Sequence, residues 1–234
     1  MSSYFKTGIF IEECSNRFLC KVDINGQIEI CYLSSSSKLK HFITLTGREV
    51  LLRKNTSIKS KTQYTLHAVK AHGSYILLNL GYVNRLLFDE LNKLDNIYSG
   101  VKNIFCEKVV EGLKADFVIE HERKTIIEAK GIITEHPNAY LPSMKVDRAI
   151  LQLKLLNKLL RKGYCVDYYV VLMNPLTKGL FLDKTKTEFQ QLFNKCLKNG
   201  MNFYIYKTNW DTSNVSVVRD ALVETAFLIE AKRK

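Results

Sequence analysis

The hydrophobic period of this chain changes once, near Tyr82, and that change limits what each side of it can become. Before it, short runs rich in β-branched and aromatic residues follow one another: "GIFIEEC", "RFLCKVDI", "QIEICYL", "EVLLRK", "YTLHAVKA" and "YILLNL". Turn signals such as "DINGQ" and "TLTG" separate them. Five or six short strands at regular spacing build a small barrel or a sandwich. After the change, "VNRLLFDELNKL" sets Val83, Leu86, Leu87, Leu91 and Leu94 near helical spacing, with Asn84 as the expected N-cap. The reading is a β domain over residues 1–82 and an α/β domain over residues 83–234.

Within the second part, "KADFVIE" and "TIIEAKG" flank the polar turn "HERK", which reads as a β-hairpin. "SMKVDRAILQLKLLNKLLRKG" is the clearest helix, with Ser143 as cap, Gly163 as stop and an apolar set of Val146, Ile150, Leu153, Leu156 and Leu160. "YCVDYYVVLMNP" is a central strand, "KTEFQQLFNKCLKNG" an amphipathic helix and "MNFYIYKTNW" another strand. Strand-helix-strand order gives a parallel portion; joined to the hairpin, it makes the sheet mixed. The basic end "EAKRK" reads as a frayed terminus.

The hairpin also carries the chemistry. Glu128 and Lys130 are two apart and project from one face of their strand. Asp116 lies early in the partner strand, and a turn with an odd number of residues brings it level with Glu128 or Lys130 on that face. Two carboxylates and an ammonium at the lip of a sheet suit Mg²⁺ or Mn²⁺, hard cations that need one or two carboxylates and keep several waters. Such a metal activates water and polarises a phosphoryl oxygen. Lys130 would orient the nucleophile or offset the charge of the transition state. The alternative reading is a hairpin whose Glu and Lys face solvent.

In this form, "ADF…IIEAKG", the chain resembles the PD-(D/E)xK nuclease superfamily. It resembles the sugar fermentation stimulation protein A family more closely, in "RFLCKVDINGQ", "LNLGYVNRLL", "EKVVEGLKADFVI", "IIEAKGI" and "LPSMKVDRAILQL", in the family's order. It departs from that family's pattern at Ser34 to Ser37, at Leu113-Lys114, at Leu141 to Met144 and at Leu151-Gln152, and keeps Arg148. The resemblance implies an OB-like N-terminal β-barrel joined to a PD-(D/E)xK nuclease-like α/β domain, and an association with DNA. It implies Asp116, Glu128 and Lys130 as the catalytic set and adds Glu107 to Asp116 and Glu128 as an upstream metal carboxylate. It further implies that the helix after the acid-x-Lys strand faces the site, which makes Arg148 and Gln152 candidate phosphate contacts.

Charge points the same way. The formal net charge is +12, and residues 1–84 hold 11 Lys and Arg against 5 Asp and Glu, which suits a polyanionic partner. From Val50 to Phe88 there is no acidic residue. Arg53, Lys54, Lys59, Lys61 and Arg85 stand there as nucleic-acid contacts, interleaved with Tyr64, Tyr75 and Tyr82 as stacking faces; for any single tyrosine, strand core is the competing reading. The six cysteines show no C-x-x-C spacing and read as reduced, buried thiols of a cytoplasmic protein. No apolar run has the length to span a membrane. Three functions stay open: a DNA-binding, metal-dependent nuclease; a DNA-binding regulatory protein on a catalytically weak nuclease-like fold; and an RNA-binding or RNA-processing protein.

Overall fold

Asn25 and Gly26 both take left-handed φ values, 55° and 83°, as a two-residue hairpin turn requires. They sit between β2 (Leu19–Ile24) and β3 (Gln27–Tyr32), which follow β1 (Phe5–Glu13). The structure is a computed structural model. It describes residues 5–34, 38–93, 98, 101, 103–121, 123–143, 146–211, 214–220, 223 and 225. Ser35 to Ser37, Leu94, Met144, Lys145 and the terminal "EAKRK" lie outside the described residues.

β1 pairs antiparallel with β2 and with β4 (Glu49–Lys54). β4 pairs antiparallel with β5 (Tyr64–Ala71), and β5 meets β3 in parallel at Thr65 and Tyr32. The ring β1-β2-β3-β5-β4 is therefore closed, which is the five-stranded OB-like barrel. β2 alternates in burial, with Cys20, Val22 and Ile24 inward. β6 (Ser74–Leu77) extends the sheet from β5.

A 3-10 turn at Leu80–Tyr82 leads into α1 (Val83–Leu91). Tyr82, not Asn84, holds the N-cap position, because the preceding turn starts the helix two residues earlier than an Asn84 cap would. There follow β7 (Asn103–Cys106), the short pair β8 (Val109–Val110) and β9 (Leu113–Lys114), β10 (Phe117–Glu120), β11 (Thr125–Ile132) and β12 (Asn138–Leu141). α2 (Val146–Arg161), β13 (Cys165–Leu172), β14 (Gly179–Leu182), α3 (Thr187–Lys198), β15 (Asn202–Trp210) and β16 (Val215–Arg219) complete the chain. α2 begins at Val146, so Ser143 stands ahead of it; Gly163 and Gly200, at φ 86° and 97°, follow the ends of α2 and α3.

The second sheet runs β16-β15-β13-β11-β10-β7. Its centre, β11-β13-β15, is parallel and its flanks are antiparallel, so the sheet is mixed, and β13 lies in its interior as its long apolar run requires. α2 and α3 cover one face around Leu153, Leu156, Tyr168 and Phe193. The other face shares one continuous core with α1 and the barrel, in which Tyr169, Val171 and Met173 join the same cluster as Leu66, Leu77 and Leu87. The two domains are thus joined by packed side chains, and Leu77 also donates its N–H to the Met173 carbonyl at 3.0 Å. The segment after β11 is not a plain loop: β12 forms a parallel ladder with β14.

Candidate functional site

β10 and β11 pair as Phe117 with Ile127 and Ile119 with Thr125. The five residues 120–124 between the last paired positions make an odd turn, and one further step along the ladder puts Asp116 level with Glu128. Beyond Ile127 the β10-side edge of β11 has no strand partner among the described residues, while its other edge stays paired with β13 to Ile132. An open edge leaves backbone donors to be satisfied by side chains. Asp116 does this: its Oδ2 accepts from the Ala129 N–H at 2.8 Å, and its Oδ1 accepts from the Asn84 side-chain amide on α1 at 2.9 Å.

Glu128 is 1% exposed. Its Oε1 accepts from the Lys130 ammonium and from the Gln152 amide, the latter at 2.9 Å. Lys130 also donates to the Gln152 carbonyl oxygen at 2.9 Å, so strand and helix α2 are tied by a closed triangle. Oε2 is buried without a hydrogen-bond partner among the described residues. Burial pushes the Glu128 carboxyl above its ordinary pKa, and the charge of Lys130 only partly opposes this, while Asp116 adds to the rise. Tyr168, level with it on the neighbouring strand β13, is pushed up by its own burial and then by the charges of Glu128 and Asp116.

A cavity of about 690 Å³ opens beside this edge. Asp116, Lys130, Arg148, Gln152 and Glu107 line it, so five of the residues picked from sequence meet at one place. Glu128 is not in the lining; it lies behind, held by Lys130 and Gln152. Glu107 reaches the cavity but its carboxylate pairs with Lys114 at 2.6 Å, because its backbone takes a left-handed φ of 53° where its N–H bonds the Asp116 carbonyl. Among the described residues no group of three or more His, Cys, Asp or Glu side chains is gathered for a metal ion.

Arg53, Lys54, Lys59, Lys61 and Arg85 do not line the cavity. Arg53 and Arg85 lie over the Tyr82 ring at 5.1 and 5.8 Å, and Lys54, Lys59 and Lys61 are exposed at the end of β4 and in the β4–β5 loop. The tyrosines of that window do not line the cavity either. Tyr64 is buried, Tyr75 packs on Trp210, and Tyr82 is covered by His67 as well as the two arginines. All six cysteines are free, but only Cys20, Cys31 and Cys196 are buried; Cys14 and Cys165 are half-buried, and Cys106 is exposed at the end of an edge strand. No helix among the described residues is long and apolar enough to cross a membrane.

Sequence reasoning missed Arg17, Phe18, Ser34 and Tyr32, all in the cavity wall contributed by the barrel. The Arg17 guanidinium sits 4.6 Å from the Phe18 ring centre, and Phe18 stacks with Tyr32 at 6.5 Å and 13°. An Arg-Phe step in the turn between the first two strands was the available signal. Asn84 was missed as well, because its place at the change of period reads as a helix cap.

Comparison with known proteins supplies the frame for this geometry. Residues 14–78 match the family described as the SfsA N-terminal OB domain, and residues 81–214 match the sugar fermentation stimulation protein RE domain. The sugar fermentation stimulation protein homolog of Ruminiclostridium cellulolyticum is 28% identical over 200 residues, covering 84% of this chain and 87% of that protein. The homolog from Saccharolobus solfataricus is 29% identical over 201 residues, covering 84% and 76%. Among solved structures, Pyrococcus furiosus SfsA in complex with Ca²⁺ superposes with a TM-score of 0.77 at 20% identity, over 94% of this chain and 95% of the other.

Proposed function

The chain belongs to the sugar fermentation stimulation protein family, and from that premise we propose that it is a DNA-binding, divalent-metal-dependent nuclease. The observation that carries this reading is Glu128 Oε2, a buried carboxylate oxygen with no partner among the described residues, next to a lysine and level with a second carboxylate. Leaving such an oxygen unpaired costs about 1–3 kcal/mol or more, a cost that a cation removes. The donor set is all hard oxygen, which suits Mg²⁺ or Mn²⁺. The Ca²⁺ in the structure of the Pyrococcus furiosus relative is a cation of the same kind.

Asp116 and Glu128 would hold the metal, which when bound supplies an activated water and a polarised phosphoryl oxygen. Asn84 and the Ala129 N–H fix the Asp116 carboxylate, so that it needs no reorganisation on binding. Lys130 places a positive charge where negative charge grows on the phosphate. Arg148 and Gln152 bring further donors from α2. Arg53, Lys54, Lys59, Lys61 and Arg85 give the barrel side of the molecule its attraction for a polyanion. Glu107 would join the metal only by leaving Lys114.

One observation favours a second reading, a DNA-binding protein whose site is catalytically weak: Lys130 and Gln152 close over Glu128. A cleavage assay on labelled DNA and RNA, with Mg²⁺, Mn²⁺ or chelator, decides between them. The nuclease reading expects metal-dependent cutting that Asp116→Asn, Glu128→Gln and Lys130→Met each abolish. No cutting with either metal, or cutting that survives all three changes, leaves the binding protein.

A further inference from the structure

The cavity that holds Asp116 and Lys130 has a second wall with its own chemistry. Phe18 and Tyr32 are 38% and 39% exposed, nearly parallel to one another, and Arg17 lies against the Phe18 ring. All three border the same cavity as Asp116, Lys130 and Arg148. β2 starts and β3 ends here, so the shelf belongs to the strand 2–3 face and the β1–β2 loop of the barrel, the surface that OB folds use for oligonucleotides. We propose that this cavity takes an unpaired segment of DNA, with one base laid on the Phe18–Tyr32 shelf and its phosphates toward Arg17, Arg148 and Lys130. The inference rests on the nuclease reading of the site and adds the strandedness of its substrate.

Two features carry it. An aromatic shelf reads the flat face of a base, and in a duplex that face is taken by the neighbouring base pairs. The cavity's 690 Å³ is the size that engulfs a small ligand, about one or two nucleotides, and not a stack of base pairs. Cations stand on both walls, so a single strand passing between the domains meets positive charge from the barrel and from α2.

The test is equilibrium binding of the full chain to a fluorescent single-stranded DNA oligonucleotide and to the duplex of the same sequence, in chelator at fixed salt. The single strand is expected to bind more tightly. Phe18→Ala should lower single-strand affinity on the order of ten- to a hundredfold, the loss of one stacked base, and leave duplex affinity within about twofold. Phe18→Leu, which keeps apolar bulk without a flat face and so guards against a folding defect, should lose as much, and Phe18→Tyr should lose little. Equal losses on both probes, or no loss on the single strand, overturn the inference. Chelator removes cutting from the measurement, so this failure leaves the nuclease reading standing, whereas absent cleavage with an intact shelf condemns only the nuclease.

Discussion

Glu128 holds one carboxylate oxygen bonded twice and the other, among the described residues, not at all; the residue is 1% exposed. Its pKa is raised, chiefly by burial, so its ionised form is the costly one. The folded state then keeps its proton to higher pH than the unfolded chain does. Stability that is present below the ordinary carboxyl value of 4.5 is lost as pH rises through the raised value. Glu128→Gln removes that titration. In chelator, the stability of the natural chain relative to this variant should fall from pH 4.5 toward neutrality in denaturant titrations. Divalent cation should reverse the order at neutral pH, stabilising the natural chain by about 2.7 kcal/mol at a hundredfold excess over Kd and the variant hardly at all. Equal stabilisation of both would place the cation elsewhere. That Glu128 and Lys130 share a face was legible from their spacing, since any strand puts i and i+2 together. The partners of Asp116 were not, because Asn84 is far from it in sequence and its role depends on where α1 begins.

α1 and β11 approach closely because position 131 is glycine. A Cβ there would lie 2.7 Å from Val83 Cγ2 and 2.9 Å from Leu80 Cδ2. Gly131→Ala therefore forces the Val83 and Leu80 side chains to shift, and the stiff, β-branched Val83 passes the strain to the first turn of α1, where Asn84 holds Asp116. A destabilisation of about 1–3 kcal/mol is expected, together with weaker cation binding, read by thermal melts and calorimetric titration. An unchanged melt and affinity would show that α1 does not hold the site. The elements themselves were readable: all six strands of the first domain and the two long helices of the second fall where their periods put them. What the period could not show is where an edge stays open. The unpaired side of β11 and the separate β12–β14 ladder follow from contacts across the fold, not from local pattern.

Across the whole molecule, the join between the domains runs through β5. Its burial is nearly continuous, because one side fills the barrel and the other meets the second domain. That double burial explains part of the acid-free window from Val50 to Phe88, which the sequence alone presented as a nucleic-acid face. His67 on β5 is 1% exposed, both ring nitrogens lack partners among the described residues, and Phe5, Tyr82 and Trp210 surround it. Burial, with the charge of Arg53 behind it, pushes its pKa from 6.5 down to about 4. The unfolded chain takes up this proton first, so stability present above pH 6.5 is lost as pH falls toward 4, by at most about 3 kcal/mol. His67→Leu should flatten that part of the pH–stability curve relative to the natural chain. An identical slope in both would mean that the join is hydrated around His67. The wall of Arg17, Phe18 and Tyr32 belongs to this scale too: it becomes part of the site only when the barrel is set against the second sheet, which no local signal encodes.

The most direct measurement is anomalous diffraction from crystals grown with Mn²⁺, which locates the metal without reference to activity. A metal held by the two carboxylates gives a single strong peak within bonding distance of Asp116 and of Glu128 Oε2, lost in Glu128→Gln crystals. A peak that engages neither carboxylate, or a Glu128 Oε2 bonded to protein alone at saturating Mn²⁺, would contradict it.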